Sequence, residues 1–105
     1  MKVLLDACVP QPLRRFLLPH EVKAAQEMGW GNLKNGDLLC AAEGQFDVLI
    51  TADQNLKYQQ NLQNRRIAIV VVPTNDWTVL RTMTGVIGSA LLNLQPGAFV
   101  EIPRK

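Results

Sequence analysis

Three aspartates have the residue type and spacing that could support chemistry in this chain. Asp6 directly follows an apolar run at residues 3–5, and Asp53 closely follows a second apolar run at residues 46–50. Asp37 opens the helical segment that leads into that second run. Clustered carboxylates repel one another until a divalent cation neutralises them, and Mg²⁺ and Mn²⁺ prefer such oxygen ligands. Convergence of the three would therefore predict a metal site that activates water for attack on a phosphate ester, with no histidine required.

Two of the three aspartates also have a simpler explanation. Aspartate is a preferred N-cap residue, and both Asp37 and Asp53 stand where helices are expected to begin. Asp6 has no obvious capping role unless a helix follows at once. A phospho-acceptor receiver domain also places aspartates at strand ends, but it needs an acidic pair after the first strand and a lysine after a late one. Here Asp6 is followed by Ala7 and the late strand ends at Pro73, so the sequence does not favour that scheme.

Composition and charge limit the class of protein. Hydrophobic residues make up 48% of the chain and charged residues 19%, a balance that predicts one folded domain over residues 1–105 rather than disorder. Eleven Lys and Arg residues against nine Asp and Glu residues give a net charge of +2, which permits a polyanionic partner without requiring one. A single histidine and two cysteines exclude the common zinc sites.

The cysteines and the apolar runs also bear on location. The chain shows neither a secretory leader nor an apolar stretch long enough to cross a bilayer, so we expect a cytoplasmic protein that does not enter a membrane. Free thiols are the default in that compartment. Cys8 and Cys40 are accordingly expected to be small core residues.

Apolar runs and helix breakers predict the elements that must position the aspartates. Short strands are expected at residues 3–5, 20–24, 46–50, 67–72 and 99–102. Helices are expected to begin near residues 10, 37, 51 and 76–78, and the last extends to residue 94 with one apolar face. This alternation predicts a three-layer α/β fold with a mostly parallel central sheet. The crevice of such a sheet lies at the carboxyl ends of its strands, where Asp6 and Asp53 would meet if their strands are neighbours.

Three segments taken together resemble a known family. They are residues 4–10 (LLDACVP), 33–39 (LKNGDLL) and 47–56 (DVLITADQNL), supported by Gly29-Trp30 and residues 58–62 (YQQNL). In this order they resemble the short PIN-like proteins, which are relatives of the PIN-domain ribonucleases and of the VapC-type toxins of bacterial toxin–antitoxin pairs. The resemblance implies a PIN-like α/β/α fold and a metal-dependent ribonuclease site.

The resemblance also implies roles for individual residues. Asp6 matches the acid after the first strand, and Asp53 matches the acid of the T-x-D motif. Asp37 matches the acid that opens the helix before the T-x-D strand. These three would be catalytic and would hold Mg²⁺ or Mn²⁺, with Thr51 and Asn55 as hydrogen-bonding support. RNA is the implied substrate, and a toxin would have a cognate antitoxin protein as its partner.

Two departures from the family pattern leave a second function open. Short relatives often carry a glutamate directly after the first acid, where this chain has Ala7. No residue matches the glutamate that an intervening helix supplies in full PIN domains. The alternative is therefore a catalytically weak or inactive PIN-like module that binds RNA or a protein partner.

Further residues are candidates for contact with partners. Those that could contact RNA are Arg14, Arg15, Lys34, Lys57 and Trp30. Ordinary surface charge is the simpler explanation of each basic residue, and the tryptophan is equally explained as a packing anchor for its loop. Related domains often pair, so the helix at residues 78–94 is a candidate homodimer surface, although packing on its own sheet explains its apolar face equally well.

Overall fold

A computed structural model describes residues 1–54 and 65–103 of the chain. These residues form one sheet of five strands in the order β2-β1-β3-β4-β5. The strands are β1 (Lys2–Leu5), β2 (Glu21–Ala24), β3 (Val48–Thr51), β4 (Ala68–Val71) and β5 (Phe99–Glu101). Every neighbouring pair is parallel. The prediction of an α/β fold with a parallel central sheet is confirmed.

Helices of two kinds connect the strands in the described part of the chain. The α-helices are α1 (Asn35–Ala42), α2 (Trp77–Leu80) and α3 (Thr84–Leu92). The 3₁₀ helices are Gln11–Leu17, Ala25–Met28 and Arg81–Met83. The helix expected near residue 10 is thus a 3₁₀ helix, whereas most of the helix expected after residue 51 lies outside the described residues.

The long helix expected at residues 76–94 is interrupted. Asp76 caps its start, because its side chain accepts a hydrogen bond from the backbone N–H of Thr78 at 2.9 Å. The Arg81–Met83 segment then separates α2 from α3. The hydroxyl of Thr82 donates to the carbonyl of Val79 at 2.6 Å, a back-bond that competes with the helical ladder and bends helices.

The sheet is buried on both faces, which produces three layers. Successive strand residues point to opposite faces, so the two faces carry separate apolar clusters. One cluster joins the strands to the Gln11–Leu17 helix and to α2 and α3. The other joins them to α1. All four residues of β3 and of β4 are buried, which explains why these strands are continuous apolar runs in the sequence.

The strand order creates a particular place for a ligand. The chain passes from β1 to β2 on one side, and then crosses back to β3 on the other side of β1. Open α/β sheets bind ligands at this point of reversal, outside the carboxyl ends of the two strands. Asp6 follows β1 and Asp53 follows β3, and these two strands are neighbours, which is the condition for the two aspartates to meet.

Both cysteines are exposed, and the expectation that they are core residues is wrong. Cys8 lies in the turn after β1, and Cys40 lies on α1. Small size and modest polarity do not reveal on which side of a helix or turn a cysteine stands.

Within residues 1–54 and 65–103, we find no helix with the length and apolar character needed to span a membrane.

Candidate functional site

Asp6 is held in a single orientation at the end of β1. Its backbone N–H donates to the carbonyl of Ile50 at 2.9 Å and so continues the β1–β3 ladder. One carboxylate oxygen, Oδ2, accepts from the hydroxyl of Thr51 at 2.7 Å, and the other, Oδ1, accepts from the backbone N–H of Ala7 at 2.7 Å. Each carboxylate oxygen can accept more than one hydrogen bond or ligand, so both retain capacity toward a cation.

Thr51 links Asp6 to Asp53. Among the described residues it is the one polar side chain that is buried, and it is fully so. Its hydroxyl donates to Asp6 and also accepts the backbone N–H of Asp53 at 3.1 Å. Because this buried hydroxyl uses its single donor on Asp6 and accepts from the backbone of Asp53, it fixes the positions of the groups on either side.

Asp6 and Asp53 open into one cleft of about 610 Å³. Both residues are half-buried. The remaining lining residues are Ala7, Cys8, Ala52, Pro73, Thr74 and Asn75. In the described part of the chain no Lys or Arg lines this cleft, so the charged groups of its wall there are acidic. Such a wall suits a cation better than an anion.

Asp37 does not join the other two aspartates. It lies exposed in the first turn of α1, where Lys34 rather than Asp37 is the N-cap residue. A helix between two parallel strands runs back from the carboxyl edge of the sheet, so Asp37 is at the same end of the molecule as Asp6 and Asp53. Within the described ranges, however, no three acidic, histidine or cysteine side chains form a group that could hold a metal. Asp37 is placed to interact with the positive end of α1 instead.

Cys8 is an unforeseen member of the cleft. Its Sγ lies 3.9 Å from the hydroxyl oxygen of Thr51. Although Cys8 as a whole residue is exposed, its thiol lies partly within the cleft, and this partial burial raises the pKa of Cys8 above its ordinary value. The Asp6 carboxylate acts in the same direction, and hydrogen bonds offset part of the rise. The thiol therefore stays protonated near neutral pH, which disfavours it as a nucleophile and as a metal ligand. Because Cys8 comes two residues after Asp6, its presence in the cleft could be expected from the sequence.

Of the basic residues predicted to contact RNA, one is paired within the protein and two are exposed. Arg14 is half-buried and forms an ion pair with Glu27, so its charge is engaged within the protein. Arg15 and Lys34 are exposed. Exposed cations of this kind are compatible both with ordinary surface charge and with contact to a phosphate backbone.

Trp30 is partly buried and packs against the protein. Its ring meets Phe46 edge-on, with the ring centroids 6.1 Å apart, at the margin of the apolar cluster beneath α1. The structure thus gives the indole ring the packing role that was the alternative to stacking on a base. The two remaining candidates, Asn55 and Lys57, lie outside the described residues.

Comparison of the chain with protein-family models, with curated proteins and with solved structures finds no match. The PIN-like assignment therefore stays a prediction from the sequence motifs. Since one fold hosts many functions, function has to be argued from the chemistry of the cleft.

Proposed function

We propose that this chain is a Mg²⁺- or Mn²⁺-dependent ribonuclease that hydrolyses phosphodiester bonds in the cleft of Asp6 and Asp53. The observation that carries the proposal is the meeting of these two aspartates at the point of reversal in the sheet, joined through Thr51. Mg²⁺ commonly binds through one or two carboxylates and keeps several waters, so the pair is a sufficient donor set without Asp37. The motif resemblance to PIN-like proteins supplies RNA as the substrate.

Each residue of the cleft has a definable part in this reaction. A divalent cation bound there would lower the pKa of a bound water and stabilise charge on the phosphate. Asp6 offers a carboxylate that the Thr51 hydroxyl and the Ala7 N–H keep oriented, so little reorganisation is needed on binding. Asp53 offers the second carboxylate from a backbone anchored on Thr51. The neutral side chains of Thr74 and Asn75 complete the wall without repelling a phosphate.

The biological role proposed with this chemistry is that of a toxin in a toxin–antitoxin pair. Its partners would be RNA and a cognate antitoxin that covers the cleft, in the cytoplasm. Exposed Val86 and Leu92 on α3 are compatible with the homodimer that the resemblance implies. These roles rest on the resemblance, whereas the cation site rests on the cleft.

The proposal is tested by Mn²⁺ titration calorimetry and by cleavage of a mixed RNA pool. Asp6→Asn and Asp53→Asn should each weaken Mn²⁺ binding and cleavage by about 10–100-fold. Asp47→Asn is the matched control, because it makes the same change in an exposed aspartate beside Lys2, at the amino-terminal edge of the sheet. The control should behave as wild type. Cleavage that persists in Asp6→Asn or Asp53→Asn would show that the activity does not belong to this cleft.

One observation favours the second candidate function, a PIN-like module without catalysis. Both oxygens of Asp6 already accept hydrogen bonds from the protein, as a structural carboxylate does, and Ala7 stands where relatives often have a glutamate. Wild-type protein that binds RNA or a protein partner, but shows no Mn²⁺ binding dependent on Asp6 and Asp53, would establish this function instead.

A further inference from the structure

Gln54 connects two walls of the cleft. We call Ala52 and Asp53 the β3 wall, and Pro73, Thr74 and Asn75 the β4 wall. The side-chain amide nitrogen of Gln54 donates to the carbonyl of Ala52 at 3.2 Å and to the carbonyl of Val72 at 2.5 Å. The first bond lies within the β3 wall, and the second crosses to the residue that precedes the β4 wall.

The Val72 carbonyl needs a hydrogen-bond donor from outside the sheet ladder. Val72 is fully buried, and its own N–H pairs with the carbonyl of Thr51 at 2.8 Å just past the end of β4. The β4–β5 ladder ends at the Val71 carbonyl, which accepts from Ile102. The carbonyl of Val72 therefore lies beyond the regular ladder and takes its hydrogen bond from Gln54. Buried carbonyls need such a partner, so this bond determines where Pro73 and the rest of the β4 wall begin.

We propose that Gln54 is a positioning residue of the cleft, which sets the separation of the β3 and β4 walls and thereby the place of the Asp53 carboxylate. The proposal rests on the proposed function, because it concerns the same cation site. Gln54 touches neither aspartate carboxylate through these bonds; it acts on the backbone at Ala52, between Thr51 and Asp53. Mutation of groups that orient metal ligands from outside the ligand set commonly lowers metal affinity or activity by about 10–100-fold.

Two glutamines of this chain allow a matched experiment. Gln45 also donates through its amide nitrogen to a backbone carbonyl, that of Ala41 at 3.0 Å, but it lies at the amino-terminal edge of the sheet. Gln54→Met and Gln45→Met each remove one amide donor, keep a side chain of similar length and leave the charge unchanged. Mn²⁺ affinity, kcat and KM for RNA, and Tm are measured for both and for wild type.

We expect Gln54→Met to weaken Mn²⁺ binding by about tenfold. The same variant should have a lower kcat and an unchanged KM for RNA. Gln45→Met should keep the wild-type Mn²⁺ affinity and kcat. A purely structural Gln54 would lower Tm and leave Mn²⁺ affinity intact, which would overturn the proposal and leave the proposed function standing. Wild-type protein without Mn²⁺ binding dependent on Asp6 and Asp53 would overturn both. If Gln54→Met fails to fold, Gln54→Asn makes the same comparison, because its shorter amide cannot reach both carbonyls.

Discussion

The hydroxyl of Thr51 decides how Asp6 and Asp53 are arranged. It is buried, and it donates to one aspartate while accepting from the backbone of the other. The residue types at these positions are recognisable in the sequence, because an acid that ends a buried strand has few structural uses. The hydrogen bond between Thr51 and Asp6 spans 45 residues of chain, so it can be expected only once the two strands are known to be neighbours.

Replacing Thr51 with valine tests this arrangement with little change in shape. Thr51→Val removes the donor to Asp6 and the acceptor for the N–H of Asp53. We expect about 1–3 kcal/mol less free energy of unfolding and about tenfold weaker Mn²⁺ binding. Chemical denaturation and calorimetry measure the two effects. Thr78→Val, at an exposed position of α2, is the control and should change neither. An unchanged Mn²⁺ affinity in folded Thr51→Val protein would contradict the role of this hydroxyl.

The thiol of Cys8 reports on the Asp6 carboxylate. Burial and Asp6 both raise the pKa of Cys8, so at a given pH near neutrality the folded protein holds less thiolate than the unfolded chain. The pH profile of iodoacetamide alkylation should therefore have its midpoint higher in native than in urea-unfolded protein, with mass spectrometry separating the Cys8 peptide from that of Cys40. Because Asp6→Asn removes the carboxylate and leaves the burial, it should lower the native midpoint toward the unfolded one.

A native alkylation midpoint at or below the unfolded one would contradict the placement of Cys8 beside Asp6.

The raised pKa of Cys8 also makes the free energy of unfolding depend on pH. A group whose pKa is raised in the folded state contributes stability below its unfolded pKa, and that contribution is lost as pH rises through the folded pKa. The Cys8 contribution should accordingly disappear at alkaline pH and should not change under acid conditions.

Strands are easier to predict than helices in this protein. The buried strands β3 and β4 are continuous apolar runs, although β3 begins two residues later than the run at residues 46–50 suggests. The edge strands β2 and β5 are less buried, yet both lie within the ranges expected from the sequence. The apolar spacing after β4 is continuous and predicts one helix. The helix is instead divided at Arg81–Met83, where the Thr82 hydroxyl donates to the Val79 carbonyl. A threonine in a sequence does not show whether its hydroxyl will turn toward the backbone.

Two glycines in the β4–β5 connection should respond to alanine with opposite signs. Gly97 has a φ of +76°, and a Cβ there would lie 2.7 Å from the carbonyl oxygen of Arg65, so Gly97→Ala should lower the free energy of unfolding by about 1–3 kcal/mol. Gly88 lies within α3, and a Cβ added to it would point into open space, so Gly88→Ala should raise that free energy by about 0.5–1 kcal/mol. Urea denaturation measures both. If both variants shifted the free energy of unfolding equally and in the same direction, the backbone described at Gly97 and Gly88 would be contradicted.

The order of the strands places the cleft in the whole molecule. Sequence patterns predict a parallel sheet, but they carry no information about which strands pair, and the convergence of Asp6 and Asp53 depends on β1 and β3 being adjacent. Because sequence patterns do not show how elements are arranged in space, the sequence also groups Asp37 with Asp6 and Asp53. Its helix begins at the carboxyl edge, yet its distance from the cleft depends on the loop before α1, whose path the spacing of residues does not reveal. Gln54 has no sequence signal of its own, because its contact with Val72 joins residues 18 apart in the chain.

The position of a bound cation tests the central proposal most directly. Crystals of the wild-type protein soaked in MnCl₂ should show an anomalous scattering peak in the cleft, coordinated directly by carboxylate oxygens of both Asp6 and Asp53. The peak should be absent from Asp6→Asn crystals, and Asp37 should not contact it. A peak bound elsewhere, or no peak at these two carboxylates in crystals that accept Mn²⁺, would contradict the proposed site and with it the ribonuclease assignment.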